Sequence, residues 1–244
     1  MKFDEWLSVC PKKSGGVLKP KSVYSYSQGM KIISKEMMDL GVINKPLETM
    51  DLFELDLAIL VIFHEPHFLH KNTTGDNMYS NALKKFRCYV CQRGTIGVSE
   101  TNEEKKILSD NKITKTERET IVKARIGQGP YRDQLMAKFG GRCLITHINL
   151  PGLLVASHIK PWSVSSNDDR ICRDNGLLLS ATYDRLFDTG LITFQNDGKI
   201  LLSDMITPQN AQVLGLRKGN AYDIGFNATM GVYLEYHRDV IFLR

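Results

Sequence analysis

The stretch from Ser157 to Gly190, SHIKPWSVSSNDDRICRDNGLLLSATYDRLFDTG, decides how the C-terminal half of this chain reads. His158 closes the apolar run LLVASH, and Pro161 stops that run as a strand directly afterwards. An Asn-Gly pair follows seventeen positions after the histidine, at Asn175 and Gly176, and NGLLLS reads as a second short strand. ATYDRLFDTG then has the composition of a short helix ending near Gly190. Asp184 and Asp188 lie one turn apart on it and share a face. The unit is strand, strand, helix. It presents a histidine at a strand end held by Pro161 and Trp162, an amide in the connection and two carboxylates on the helix.

Working outward, RDQLMAKFGG reads as a helix ended by Gly140 and Gly141, and KTERETIVKARIG as a basic helix before it. CLITHINLPGLLVASHIKPW predicts two short strands around Pro151 and Gly152. LITFQNDGKILLS predicts a hairpin across Asn196, Asp197 and Gly198. The tail, NATMGVYLEYHRDVIFLR, reads as an amphipathic helix and an end strand. Residues 1 to 92 read as helical. SVYSYSQGMKIISKEMMDLG sets Tyr26, Met30, Ile33, Met37 and Leu40 at helical spacing, with Gly41 as the stop. LFELDLAILVIFHE is a second apolar segment, interrupted by Pro66, and Asn77 or Ser80 caps a third helix. The polar segment from Gly94 to Asp110 reads as linker. The expected organisation is an α+β chain with a helical unit over 1–92, a linker over 93–114 and a second domain over 115–244, whose core spans 143–203.

The bulk numbers narrow the class. A chain of 244 residues, 42% hydrophobic and 24% charged, has ordinary globular composition and can bury a real core. Its longest apolar run, Leu57 to Phe63, is far too short to span a bilayer, and MKFDEWLSVC lacks the apolar core of a signal peptide. Five scattered cysteines form no disulfide framework, which points to a reducing cytoplasm. The net charge of +5 is concentrated: Lys105 to Arg142 holds ten basic against four acidic residues, and the rest of the chain is balanced. Such a stripe can neutralise phosphates. Lys123, Arg125 and Arg132 within it, with Lys160 and Arg185 beside the motif, are candidate DNA contacts.

A neutral imidazole near its ordinary pKa takes a proton from water at physiological pH. Two carboxylates on one helix face can hold a divalent cation, and all-oxygen ligands favour Mg²⁺ or Mn²⁺. Such a cation stabilises charge on a phosphoryl group and helps a leaving 3′ oxygen. Each residue taken alone has an ordinary structural explanation. Their order carries the reading.

At these residues the chain resembles the HNH nucleases, the ββα-metal fold. The branch in question runs roughly C-x-I-T, A-H-I-x-P-W, N-G-L-x-L and H-x-x-F-D-x-G. Here those elements are Cys143 to Thr146, Ser157 to Trp162, Asn175 to Leu179 and Asp184 to Gly190. The resemblance implies His158 as general base, Asn175 as an orienting residue and position 184 as a metal ligand. Two departures stand out. Asp184 replaces the usual histidine, and Ser157 precedes the base where many members carry a ligating aspartate. KARIGQGPYRDQLMAKFGGRC is similar to the lead-in of restriction-type members.

The expectation is a bacterial cytoplasmic endonuclease of restriction type acting on double-stranded DNA with Mg²⁺ or Mn²⁺. It is expected to act as a homodimer, with a cognate DNA methyltransferase as a candidate partner. A nuclease restricted to modified DNA and a DNA-binding protein on a decayed nuclease scaffold are the alternatives. No structural zinc is expected, since the four-cysteine framework of some members is missing and Cys88 and Cys91 form a lone CxxC. His64, His67 and His70 are separated by a helix break at Pro66 and do not read as a site. Gly127 and Gly129 follow no strand, so they form no dinucleotide fingerprint, and a phosphate-contacting turn flanked by Arg125 and Arg132 stays open.

Overall fold

The computed structural model describes residues 1–12, 16–93, 114 and 129–244. Five helices form the N-terminal part: α1 (Phe3–Ser8), α2 (Pro20–Asp39), α3 (Leu52–Ile62), α4 (Pro66–Thr74) and α5 (Met78–Arg93). Pro20 opens α2 at a position where its missing N–H costs nothing, and Gly41 at φ +69° lets the chain turn away after Asp39. Met30, Ile33 and Met37 bury the inner face of α2, which packs on α5. Leu40 is exposed instead, because it lies one residue past the helix end. Asp51 and Glu54 close a reciprocal capping box on α3. Pro66 begins α4, and α5 starts directly after Asn77, itself at φ +59°.

The C-terminal part holds α6 (Gly129–Lys138), β1 (Leu154–His158), α7 (Asn167–Ile171), β2 (Gly176–Ser180) and α8 (Ala181–Asp188). A second hairpin, β3 (Ile192–Phe194) with β4 (Ile200–Leu202), and α9 (Pro208–Val213) and α10 (Ala228–Tyr236) complete it. β1 and β2 are antiparallel with Leu154 opposite Ser180 and His158 opposite Gly176. α6 and α8 both pack on this hairpin. Gly176 is extended, so its backbone needs no glycine. Space does: a Cβ there would collide with the Tyr131 hydroxyl and meet Leu135 at 2.7 Å. None of the described helices is long and apolar enough to cross a membrane.

Two expectations are corrected. Only one strand forms around Pro151, because Cys143 to Ile148 closes as a turn. The Cys143 N–H donates to the Ile148 carbonyl at 2.9 Å, His147 sits at φ +58°, and the Cys143 thiol accepts the Ser180 N–H at 3.2 Å. These local bonds use the groups a strand ladder would need. The tail forms no end strand either. After a π-turn over His237–Ile241, Val240, Ile241 and Leu243 enter the apolar core of the N-terminal helices. The Lys84 ammonium donates to the Phe242 carbonyl there, at 3.4 Å. The expected linker and basic helix, with Lys123 and Arg125, lie outside the described residues apart from Arg93, which ends α5, and Thr114.

His237 joins the second hairpin to α8. It is 1% exposed and stacks on Phe187 at 3.8 Å. Its Nε2 lies 3.1 Å from the Phe187 carbonyl and its Nδ1 2.9 Å from the Thr193 hydroxyl, a set the neutral ring satisfies. Burial pushes the imidazole down from 6.5 to about 3. The unfolded chain therefore binds this proton first as pH drops below 6.5. Stability is full above that value and falls from there towards pH 3, by about 1.4 kcal/mol per unit for one proton. Denaturation midpoints of His237→Gln between neutral pH and pH 5 should show a shallower loss than wild type, and identical slopes would refute the assignment.

Candidate active site

Asn175 is wholly buried between the two strands, and its amide holds the β1–β2 connection. Its Oδ1 accepts the Lys160 N–H at 2.8 Å, while Nδ2 donates to the Asp169 carbonyl at 3.1 Å and the Lys160 carbonyl at 3.3 Å. Its own carbonyl accepts the Tyr131 hydroxyl and the Ile159 N–H. With every polar atom of the side chain engaged, Asn175 fixes backbone. Asn175→Ala leaves the Lys160 N–H and two carbonyls short of partners, at about 1–3 kcal/mol for each buried group. A lowered urea midpoint is expected, and an unchanged one would contradict this role.

His158 is the last residue of β1. Its Nε2 lies 2.9 Å from the Arg170 carbonyl, so in the neutral ring Nε2 carries the proton and Nδ1 is left as the acceptor. The ring stacks on Tyr131 with centroids 4.4 Å apart and planes 10° from parallel. Burial, the largest effect, pushes its pKa from 6.5 down to about 4; the Arg170 carbonyl opposes this shift and the Arg170 charge adds to it. The sequence expectation of an ordinary pKa is thereby corrected, because Tyr131 and the loop enclose the ring. It remains partly accessible to solvent.

Neighbouring residues of a strand turn to opposite faces. Ser157 accordingly points away from His158, towards α8. It is 3% exposed and its hydroxyl has no well-formed hydrogen bond, although it lies close enough to Asp184 to favour that carboxylate's charged form. Burial works the other way and raises Asp184 on balance. Asp188 is crowded by protein yet keeps solvent contact. That crowding first, and the like charge of Asp184 second, push it above the usual carboxylate range, against the pull of Arg87 and Arg185. Asp184, Asp188 and Ser157 thus form an oxygen-rich group, and His158 stands on the other side of β1. Among the described residues no three His, Cys, Asp or Glu side chains converge on a metal position.

The helical layer reaches this site. The Arg87 guanidinium of α5 donates to both carboxylate oxygens of Asp56 on α3, at 2.6 and 3.2 Å, and to the Asp188 carbonyl at 2.8 Å. The Ser163 hydroxyl, from the β1–β2 connection, donates to the same Asp56 at 2.9 Å. The sequence reading missed these residues, although an acid inside so apolar a helix as LFELDLAILVI was a signal. The cations it favoured near the motif are used internally. Arg132 donates to the Leu154 and Pro151 carbonyls, Lys160 pairs with Asp169 at 3.0 Å, and Arg185 donates to the Cys91 carbonyl and thiol.

With this geometry in view, the comparison with known families is specific. Residues 143–195, from the Cys143 turn through the hairpin and α8 into the second hairpin, match the model of the HNH endonuclease family. The chain carries an HNH endonuclease domain, the domain of a nuclease, in its C-terminal half. No curated protein matches it.

Proposed function

We propose that this chain is a divalent-metal-dependent DNA endonuclease of restriction type, with His158 as general base and Asp184 and Asp188 as ligands of Mg²⁺ or Mn²⁺. One observation carries the reading. Consecutive residues of β1 hold its two halves: His158, with Nε2 committed and Nδ1 left as acceptor, and Ser157, facing Asp184. The hard oxygen set, the poorly satisfied Ser157 hydroxyl and the mutual repulsion of the two carboxylates all fit a divalent cation. A cation bound there supplies positive charge to the phosphate and the leaving oxygen.

The protein's own part is proton transfer and positioning. A water oxygen forms the new bond to phosphorus, its proton passes to Nδ1 of His158, and the bond to the 3′ oxygen breaks, that oxygen taking a proton from solvent. A depressed pKa keeps the imidazole neutral before the step. Asn175 holds the loop that orients it. The helical layer over 1–92 supplies recognition or dimer contacts beside the nuclease domain over 115–244, and a two-fold homodimer matches a palindromic target. A bacterial cytoplasm and a cognate DNA methyltransferase complete the restriction reading, which is supported by the likeness of the 123–143 lead-in to restriction-type members.

Plasmid DNA incubated with the protein and Mg²⁺ or Mn²⁺ should be cut, and EDTA should abolish cutting. Sequenced termini at one recurring site support restriction. Scattered termini would leave a nuclease without it, and cutting confined to methylated DNA would transfer the assignment to a modification-dependent enzyme. Calorimetric titration with Mn²⁺ tests the ligands separately: Asp184→Asn should bind at least about tenfold more weakly than wild type. A wild type that binds no Mn²⁺ would remove the metal from the proposal and favour a decayed scaffold.

A further inference from the structure

Arg87, Arg132, Lys160 and Arg185, four of the cations near the site, are committed to acceptors within the protein. Gripping a duplex takes uncommitted ones. The outer face of α2 provides them. Lys21, Tyr24, Gln28, Lys31 and Lys35 follow at spacings of three and four residues, which aligns them along one side of the helix, opposite the buried Met30, Ile33 and Met37. The three lysines are exposed, and among the described residues none of them has an ion-pair partner. Tyr24 stands 67% exposed in the middle of the stripe. From Trp6 to Lys35 the chain holds six lysines and no acidic residue. The first turn of α2 also lacks an acid, so the positive end of the helix and Lys21 reinforce one another with nothing local to offset them.

We propose that this face of α2 lies along the sugar-phosphate backbone of double-stranded DNA. The inference rests on the nuclease reading above and adds where the helical layer holds the substrate. From Lys21 to Lys35 the helix rises about 21 Å, roughly the length of six base pairs. The lysines neutralise phosphates over that span, while the Tyr24 hydroxyl and Gln28 amide donate to phosphate or sugar oxygens between them. Contacts of this kind fix position and carry no base sequence. The face therefore contributes affinity that is independent of sequence and steeply dependent on salt.

The test is binding of a labelled duplex of about 30 base pairs in EDTA, followed by anisotropy from about 50 to 200 mM KCl. The wild-type chain is compared with a variant carrying Lys21→Ala, Lys31→Ala and Lys35→Ala together. Loss of three phosphate contacts should flatten the plot of log affinity against log salt by about 2.7 and weaken low-salt binding by at least about tenfold, equally on unrelated sequences. The corresponding triple arginine variant should bind like wild type, and circular dichroism should show all three proteins equally folded. Wild-type affinity and slope in the triple alanine variant would overturn the inference while leaving the nuclease reading standing. A wild type that fails to bind duplex DNA at all would overturn both.

Discussion

His158→Ala should cut DNA about 10²–10⁴-fold more slowly than wild type, the range a positioned general base contributes. The loss has a particular source. The Arg170 carbonyl fixes the ring through Nε2, and Tyr131 fixes its plane, so Nδ1 is held in one place as a proton acceptor. Asp184 and Asp188 offer no substitute on that face, since they lie across β1, on α8. The variant should keep its circular dichroism and its Mn²⁺ affinity, because the imidazole is not among the proposed ligands. Undiminished cutting would sink the assignment of the base, and loss of Mn²⁺ binding together with cutting would move His158 into the ligand set.

Arg87→Met is expected to destabilise the fold by about 3–5 kcal/mol, the usual result of removing one partner from a buried ion pair. The side chains of Arg87 and Asp56 are 5% and 4% exposed, so the orphaned Asp56 would keep only the Ser163 hydroxyl as a partner. The Asp188 carbonyl at the end of α8 would lose its donor as well. A large drop in the urea midpoint should therefore accompany slower cutting. Combining Asp56→Leu with Arg87→Met should restore much of the midpoint, since neither charge of the pair is then left buried alone, without restoring the tie to α8. A wild-type midpoint in the single variant would show that the pair is not the joint described here.

What the sequence made legible was local. Pro161, the Asn-Gly pair and Gly190 each act within a few residues, and they were enough to place β1, β2 and α8; that Ser157 faces Asp184 was not read from them. What escaped reading depends on distant partners. The Cys143 turn is fastened to β2 because its thiol accepts a backbone N–H 37 positions away. His158 loses basicity because α6 brings Tyr131 onto its face. Arg132 and Arg185 look like free cations in a charge count, and only the fold reveals the carbonyls that claim them. Asp56 and Arg87 belong to helices whose patterns announce burial, and a buried charge can be seen to need a partner long before that partner can be named.

The entry of Val240, Ile241 and Leu243 into the helical core bears on the order in which this protein can be built. Lys84 and Phe242, hydrogen-bonded in the finished fold, are 158 residues apart. During synthesis the N-terminal helices emerge early and wait with part of their apolar interior uncovered until that distant segment arrives. Their consolidation is a late event. The segment that completes them follows every residue of the proposed catalytic site, so the helical layer reaches its final form only after the whole nuclease motif has been made.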